Sequence, residues 1–102
     1  MKEPVLEIKN GLPTVSSKQI ADAFGKTHRH VLRDIRRALA DIPEDFGESN
    51  FGLSSYTSKQ NKKLPCYDLT RDGFTIMAMG FEGKEAMQWK VKYINAFNAM
   101  EA

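Results

Sequence analysis

Residues 24 to 37, FGKTHRHVLRDIRR, contain the turn and the basic helix on which the fold prediction depends. Gly25 is typical of a helix C-terminus, because glycine adopts the left-handed conformation without a steric penalty. Thr27 is a typical N-cap for a following helix. Because Pro43 cannot continue a helix, that helix is predicted to end by Ile42. Upstream, a Ser-x-x-Gln capping box opens a short helix before the turn.

The helix predicted between Thr27 and Ile42 is strongly amphipathic. At 100° per residue its apolar side chains fall on one face and its basic side chains on the other. Like charges three and four residues apart destabilise a helix by roughly 0.2–0.5 kcal/mol per pair, and Asp34 is the one acid in the first three turns to offset them. A sequence that breaks local rules without compensation usually serves a site, although a solvated basic face is the ordinary alternative. The basic face comprises Arg29, His30, Arg33, Arg36 and Arg37, and the apolar face comprises Val31, Leu32, Ile35, Ala38, Leu39 and Ile42.

Turn signals divide the remainder of the chain into hairpins and helices. Asn10-Gly11 predicts an N-terminal hairpin between VLEIK and LPTVS. PEDFGESN is interpreted as a loop, and NFGLSSYTS and LPCYDLT as strands joined by the basic turn KQNKK. Two helices follow, RDGFTIMAM and a long one from Glu82. These elements predict an α+β fold: one winged helix-turn-helix-like domain, residues 1–102, with an N-terminal hairpin, a helix-turn-helix at 16–42, a β-hairpin wing at 49–70 and two C-terminal helices at 71–101.

Composition narrows the classes of function. The 102 residues fit one domain, and no apolar run approaches the roughly 18 residues of a membrane span. The N-terminus lacks the apolar core of a signal peptide, and the lone Cys66 cannot form an internal disulfide, so a cytoplasmic protein is expected. Residues 26–37 carry five basic side chains and one acid, a net +4, whereas the rest of the chain carries 10 basic and 12 acidic ones, a net −2. A local basic patch on a mildly acidic body is typical of a nucleic-acid footprint.

Catalytic and metal chemistry find little support in the sequence. It contains no Gly-rich phosphate loop and no nucleophile beside a base, so no enzyme activity and no cofactor are predicted. His28, His30 and Cys66 do not have the spacing of a metal site, and none is predicted. His28 lies on the core side of the helix and is interpreted as a packing or capping residue.

Two long segments carry a family resemblance. PTVSSKQIADAFGKTHRHVLRDIRR and YDLTRDGFTIMAMGFEGKEAMQWKVKYINAFNAME closely resemble the phage regulatory protein Rha family, and the likeness covers roughly residues 13 to 101. GK-x-H-x-x-VLRDI and LTRDGFTxxAMGFxGKxA are its distinctive motifs. The resemblance implies a temperate-phage or prophage regulator that acts through DNA in the host bacterial cytoplasm and nucleoid.

Double-stranded DNA is therefore the expected partner, and the basic residues receive two roles. Arginine matches the paired acceptors of guanine in the major groove, so Arg29, His30 and Arg33 are predicted to read base edges. The alternative is an antirepressor-like module whose basic face docks on an acidic host or phage regulator. An RNA-binding interpretation comes third, because no exposed aromatic platform is evident. Phosphate contacts are predicted for Lys26, Thr27, Arg36, Arg37, Lys59, Lys62 and Lys63.

The C-terminal helix carries more apolar surface than one core contact requires. Met87, Val91 and Ile94 form one stripe, and a second stripe is richer in aromatic residues. One stripe is expected to face the core, and the other either the helix at 71–79 or a second subunit. A homodimer is predicted, with its interface at Trp89, Tyr93, Phe97 and Met100.

Overall fold

The computed structural model describes residues 4–101, which form an α+β fold of five helices and one antiparallel four-stranded sheet. The predicted α+β class is confirmed, as are the N-terminal hairpin and the two C-terminal helices. No helix within this part of the chain combines the length and apolarity needed to cross a membrane. The elements are β1 (Glu7–Lys9), β2 (Leu12–Ser16), α1 (Ser17–Phe24), α2 (His28–Asp41), α3 (Glu44–Asn50), β3 (Phe51–Thr57), β4 (Lys63–Leu69), α4 (Arg71–Ala78) and α5 (Lys84–Glu101).

Side-chain caps fix the boundaries of α1 and α2 where the sequence predicts them. The Ser16 hydroxyl accepts a hydrogen bond from the Gln19 backbone N–H at 3.1 Å, and Thr27 does the same for His30 at 3.2 Å. Gly25 ends α1 with φ at 66°, in the left-handed region that glycine adopts most readily. Both helices therefore begin through local hydrogen bonds that satisfy otherwise unpaired N–H groups.

Residues 44–50 correct the sequence prediction, because they form helix α3 and not a loop. Glu44 and Asp45 occupy the first turn, where acidic side chains interact favourably with the helix dipole. Gly47 is buried, and a Cβ there would lie 3.0 Å from the Leu39 side chain. The glycine thus permits α3 to pack closely against α2.

The sheet joins the two predicted hairpins into one layer with the order β1-β2-β4-β3. In the N-terminal hairpin Asn10 and Gly11 both have positive φ, at 51° and 79°, as the Asn-Gly signal predicts. β3 and β4 pair over seven residues each. The connection between the hairpins is the short antiparallel pairing of β2 with β4, in which Val15 lies opposite Leu69.

The aromatic residues of α5 form the centre of the core, which corrects the predicted dimer interface. Trp89 is 6% exposed and Tyr93 and Phe97 are fully buried within a single chain, so they are not available to a second subunit. The Tyr93 ring lies 4.8 Å from that of Phe74, and its hydroxyl donates to the Gln19 side chain at 3.0 Å. Burying a large apolar side chain contributes about 1.5–3 kcal/mol, which favours placing the aromatic stripe inside. Of the four predicted interface residues, Met100 alone is exposed.

Candidate nucleic-acid interface

Helix α1 and helix α2, which carries most of the candidate site, are joined by a three-residue turn at positions 25–27. The backbone N–H of Lys26 donates to the Ala21 carbonyl at 2.9 Å and closes the end of α1. α2 then docks on the core through Val31 and Ile35, both fully buried. Because these residues lie on one side of α2, the opposite side is directed to solvent.

The exposed side of α2 carries the arginines that the helical projection groups together. Arg33 Nε lies 3.9 Å from the neighbouring Asp34 carboxylate, a long and largely solvated contact. Within residues 4–101, Arg29, Arg36 and Arg37 have no carboxylate within ion-pair distance. The face therefore presents positive charge that the rest of the described chain does not neutralise.

A buried polar junction fixes the N-terminal end of α2. The Ser17 hydroxyl, fully buried at the start of α1, lies 2.8 Å from Nε2 of His28 and accepts the Tyr67 backbone N–H at 3.0 Å. Since Ser17 accepts from Tyr67, its own proton is available to His28 Nε2, which fits a neutral imidazole protonated at Nδ1. Burial lowers the pKa of His28, the positive charge of Lys18 lowers it further, and Asp22 opposes the shift. His28 thus serves as a packing residue, as its position on the core side of the helix predicts.

The β3–β4 hairpin is anchored beside that same helix end. The ring of Tyr56, on β3, meets the ring of His28 edge to face, with centroids 5.3 Å apart and planes 70° apart. This contact brings the distal half of the hairpin next to the first residue of α2.

The tip of the hairpin is an ordered, basic turn. The Ser58 backbone N–H donates to the Lys62 carbonyl at 2.8 Å, and its hydroxyl accepts the N–H groups of Gln60 and Lys62. Asn61 has φ at 61°, a left-handed conformation that asparagine tolerates better than most residues. The exposed lysines at this turn are Lys59, Lys62 and Lys63.

Lys26 and Thr27 lie where the turn enters α2. The Lys26 ammonium is 5.1 Å from the centre of the Phe81 ring, a cation–π contact that holds an exposed charge near the turn. The Thr27 oxygen is occupied as the helix cap, and its hydroxyl proton is not used by that bond. Both residues flank the N-terminus of the arginine face.

The structure thus groups the predicted site residues into two basic segments, the α2 face with its preceding turn and the hairpin tip. Ser17 and Tyr56, which position α2 and the hairpin, were missed by the sequence analysis. Their role depends on contacts with His28 that span 11 and 28 positions of sequence, and no local pattern marks them. Outside residues 26–37 and 59–63, seven basic and twelve acidic side chains remain, a net charge of −5.

Comparison with known proteins identifies relatives in a bacterium, a phage and a prophage. An uncharacterized protein of Haemophilus influenzae is 39% identical over 88 residues, covering 83% of this chain and 50% of the relative. A 22.8 kDa protein from the gp15–gp3 intergenic region of Salmonella phage P22 is 39% identical over 95 residues, covering 90% and 46%. YoqD, an SPbeta prophage-derived protein of Bacillus subtilis whose name describes it as a candidate antirepressor, is 30% identical over 95 residues, covering 91% and 38%.

The chain spans half or less of the length of these relatives. No solved structure matches it. The model of the phage regulatory protein Rha family matches residues 15–102, which include α1, α2, the β3–β4 hairpin and both C-terminal helices. The resemblance inferred from the sequence is therefore confirmed, and the chain belongs to the phage regulatory protein Rha family.

Proposed function

We propose that this chain binds double-stranded DNA in a sequence-specific manner, with α1 and α2 as a helix-turn-helix and the β3–β4 hairpin as its wing. The observation that carries the proposal is the exposed face of α2, where Arg29, Arg36 and Arg37 lack acidic partners in the described chain and Arg33 has only its long contact with Asp34. A helix about 10–12 Å across fits the major groove, which is about 12 Å wide. The phosphates that line the groove carry the negative charge that would neutralise the arginines of this face.

The first two turns of α2 are the part we assign to base reading. In helix-turn-helix proteins the N-terminal residues of the second helix approach base edges. Arg29, His30 and Arg33 are exposed there, whereas His28 is withdrawn from the face by its bond to Ser17. The two arginine guanidinium groups match the paired acceptors of guanine, and His30 has ring nitrogens that can donate or accept.

The remaining basic residues are assigned to the DNA backbone. Arg36 and Arg37 lie farther along α2, and Lys26 and Thr27 lie at its entry. The Tyr56–His28 contact places the hairpin beside α2, so its tip lysines are suited to phosphates flanking the groove. Such contacts fix orientation and affinity without carrying sequence information directly.

Membership in a phage regulatory family supports a regulatory role for the proposed DNA binding. We infer that the chain is a phage or prophage transcriptional regulator whose DNA contacts select the operator. The name of the SPbeta relative suggests a protein-interaction function for that protein, and this is the alternative the experiment must separate.

The decisive experiment is selection of bound sequences from random duplex DNA, repeated at several salt concentrations. We expect one enriched motif that persists at physiological salt, with an affinity that falls as salt rises because phosphate contacts release counterions. Absence of any motif, together with loss of binding by physiological salt, would overturn sequence-specific recognition and leave the protein-interaction alternative.

A charge-matched control separates recognition by α2 from general attraction to DNA. Arg33→Ala removes one positive charge from α2, and Lys9→Ala removes one from β1, at the opposite sheet edge from β3. Arg33→Ala is expected to weaken binding to the selected motif at least about fivefold, and Lys9→Ala by less than about threefold. Equal losses in the two variants would contradict the assignment to α2.

A further inference from the structure

One apolar stripe of α5 remains uncovered by the folded chain. Met87, Val91 and Ile94 are 58%, 51% and 55% exposed, although they alternate at the four- and three-residue spacing of a helix-packing seam. On the helical projection this stripe lies about 130° around α5 from the buried aromatic stripe. The stripe of Met87, Val91 and Ile94 therefore does not pack in the core, and it forms a surface separate from the α2 face.

We propose that this stripe is a self-association surface on which α5 of a second copy packs in antiparallel orientation. The alternating spacing continues in both directions beyond the three apolar residues, to Lys84 at one end and to Asn98 and Glu101 at the other. An antiparallel pair centred between residues 92 and 93 places Val91 opposite Ile94 of the second copy. The same register places Met87 opposite Asn98.

Charge complementarity selects both the occupant and the orientation. In this register Lys84 of each copy faces Glu101 of the other, so opposite charges close both ends of the seam. A parallel pair would instead place Lys84 against Lys84 and Glu101 against Glu101, which costs free energy through like-charge repulsion. The stripe is thus complementary to its own reverse, as a two-fold interface requires.

The Glu101 carboxylate remains accessible for that contact. It accepts from Arg71 at 2.6 Å through one oxygen, and its side chain is still 40% exposed. The Asn98 amide oxygen, on the same stripe, also accepts a hydrogen bond from the Arg71 guanidinium. These bonds fix the last turns of α5 against α4 and orient the polar end of the stripe.

The size of the seam sets the strength we expect. An 18-residue helix is about 27 Å long and offers three apolar side chains per copy, which places the interface at the small end of specific ones. We therefore expect a dimer with a micromolar dissociation constant, populated reversibly with concentration.

Sedimentation equilibrium of the 102-residue chain without DNA tests the proposal independently of the DNA-binding function. Wild type is expected to shift from monomer to dimer as concentration rises to several hundred micromolar. Ile94→Glu places a charge in the seam and should weaken association at least tenfold. Asn95→Glu adds the same charge to an exposed position of α5 outside the stripe and should leave association within about threefold of wild type.

A charge swap tests the register. Lys84→Glu should weaken association by placing two acids together at each end, and Glu101→Lys should weaken it by placing two lysines together there. Because Glu101→Lys also breaks the Arg71 contact, the double variant Lys84→Glu/Glu101→Lys is compared with both single variants and should associate more tightly than either. Circular dichroism confirms that each variant keeps its fold. A wild-type chain that stays monomeric throughout overturns the proposal, as does an Ile94→Glu variant that associates as well as Asn95→Glu. A double variant that associates no more tightly than either single variant overturns the antiparallel register.

Discussion

At the residue scale, Ser17 is the buried polar group whose loss we expect to cost most. Its hydroxyl serves the Tyr67 backbone N–H and His28 Nε2 together. Ser17→Ala leaves both without that partner, and an unsatisfied buried polar group costs about 1–3 kcal/mol. Urea unfolding at neutral pH should show this loss, whereas Ser55→Ala, at an exposed strand position, should change the free energy of unfolding by less than about 0.5 kcal/mol. Equal effects would contradict the role of the junction.

The same junction predicts a pH dependence of stability. Burial, reinforced by Lys18, lowers the pKa of His28 in the folded chain below the value of about 6.5 expected when unfolded. The unfolded state then binds the proton more readily, so this contribution is complete above about pH 6.5 and is lost as pH falls through the folded pKa. Wild type should therefore lose more stability than His28→Gln between pH 7.5 and 5.5, measured by urea midpoints. Parallel curves for the two proteins would exclude His28 as the titrating group.

Substitutions of Arg33 and of Lys62 are predicted to change DNA binding in different ways. Arg33→Ala should cost about 1–3 kcal/mol on the selected motif and relax the preference at one base pair, because a base contact is lost. Lys62→Ala should weaken specific and random duplexes alike and reduce the slope of affinity against salt by about one unit. Titrations over a salt series against both duplexes distinguish the two. Equal effects of both variants on specific and random DNA would refute this division of roles.

At the element scale, α4 begins at a close approach that excludes a side chain. A Cβ on Gly73 would lie 2.5 Å from the Asn50 carbonyl oxygen, which belongs to the backbone at the end of α3. Gly73→Ala should therefore destabilise the fold by at least about 1–3 kcal/mol through overpacking. Gly80→Ala is the matched control, because a Cβ there meets its nearest atom at an ordinary 3.6 Å. Thermal unfolding of the two variants checks this, and similar midpoints would show that α3 and α4 adjust freely.

Elements with local signals were predicted from sequence, and elements decided by packing were not. The caps at Ser16 and Thr27 and the Asn-Gly turn act within a few residues, so the sequence alone specifies them. α3 was missed because glycine is more typical of a loop than of a helix, whereas in the structure Gly47 allows close packing against Leu39. The β2–β4 pairing joins residues more than 50 positions apart, and no local pattern encodes it.

The same distinction explains what was predicted of the candidate site. The arginine face follows from helical periodicity, and the structure places all five of its predicted members on the exposed side of α2. The two stripes of α5 are both apolar, so periodicity identifies them without deciding which one faces inward. Packing decides it, because the larger aromatic stripe fills the core against Phe74 and Gln19.

At the scale of the whole molecule, positive charge is concentrated and the remainder is acidic. Residues 26–37 and 59–63 carry a net charge of +7, against −5 elsewhere. A long acidic polymer is attracted to the basic segments and repelled by the acidic remainder, which favours encounters through the basic segments. The α5 stripe lies outside these basic segments, so the proposed DNA binding and the proposed self-association depend on different residues and can be altered separately.

Joining the two proposed surfaces predicts the symmetry of the DNA site. If α5 pairs two chains about a two-fold axis, the two α2 helices are related by that axis, and the bound sequence must be an inverted repeat. Its half-sites should lie about 10 base pairs apart, roughly 34 Å, or a multiple of that, so that both helices meet the major groove on one side of the duplex. The Ile94→Glu variant should lose far more affinity for a two-half-site duplex than for a single half-site. The Asn95→Glu variant should keep the wild-type affinity for both duplexes. Titrations of both variants on both duplexes measure this. Equal losses of affinity on the two duplexes would contradict this prediction. They would show that self-association does not contribute to operator recognition and that each chain binds DNA through α2 independently.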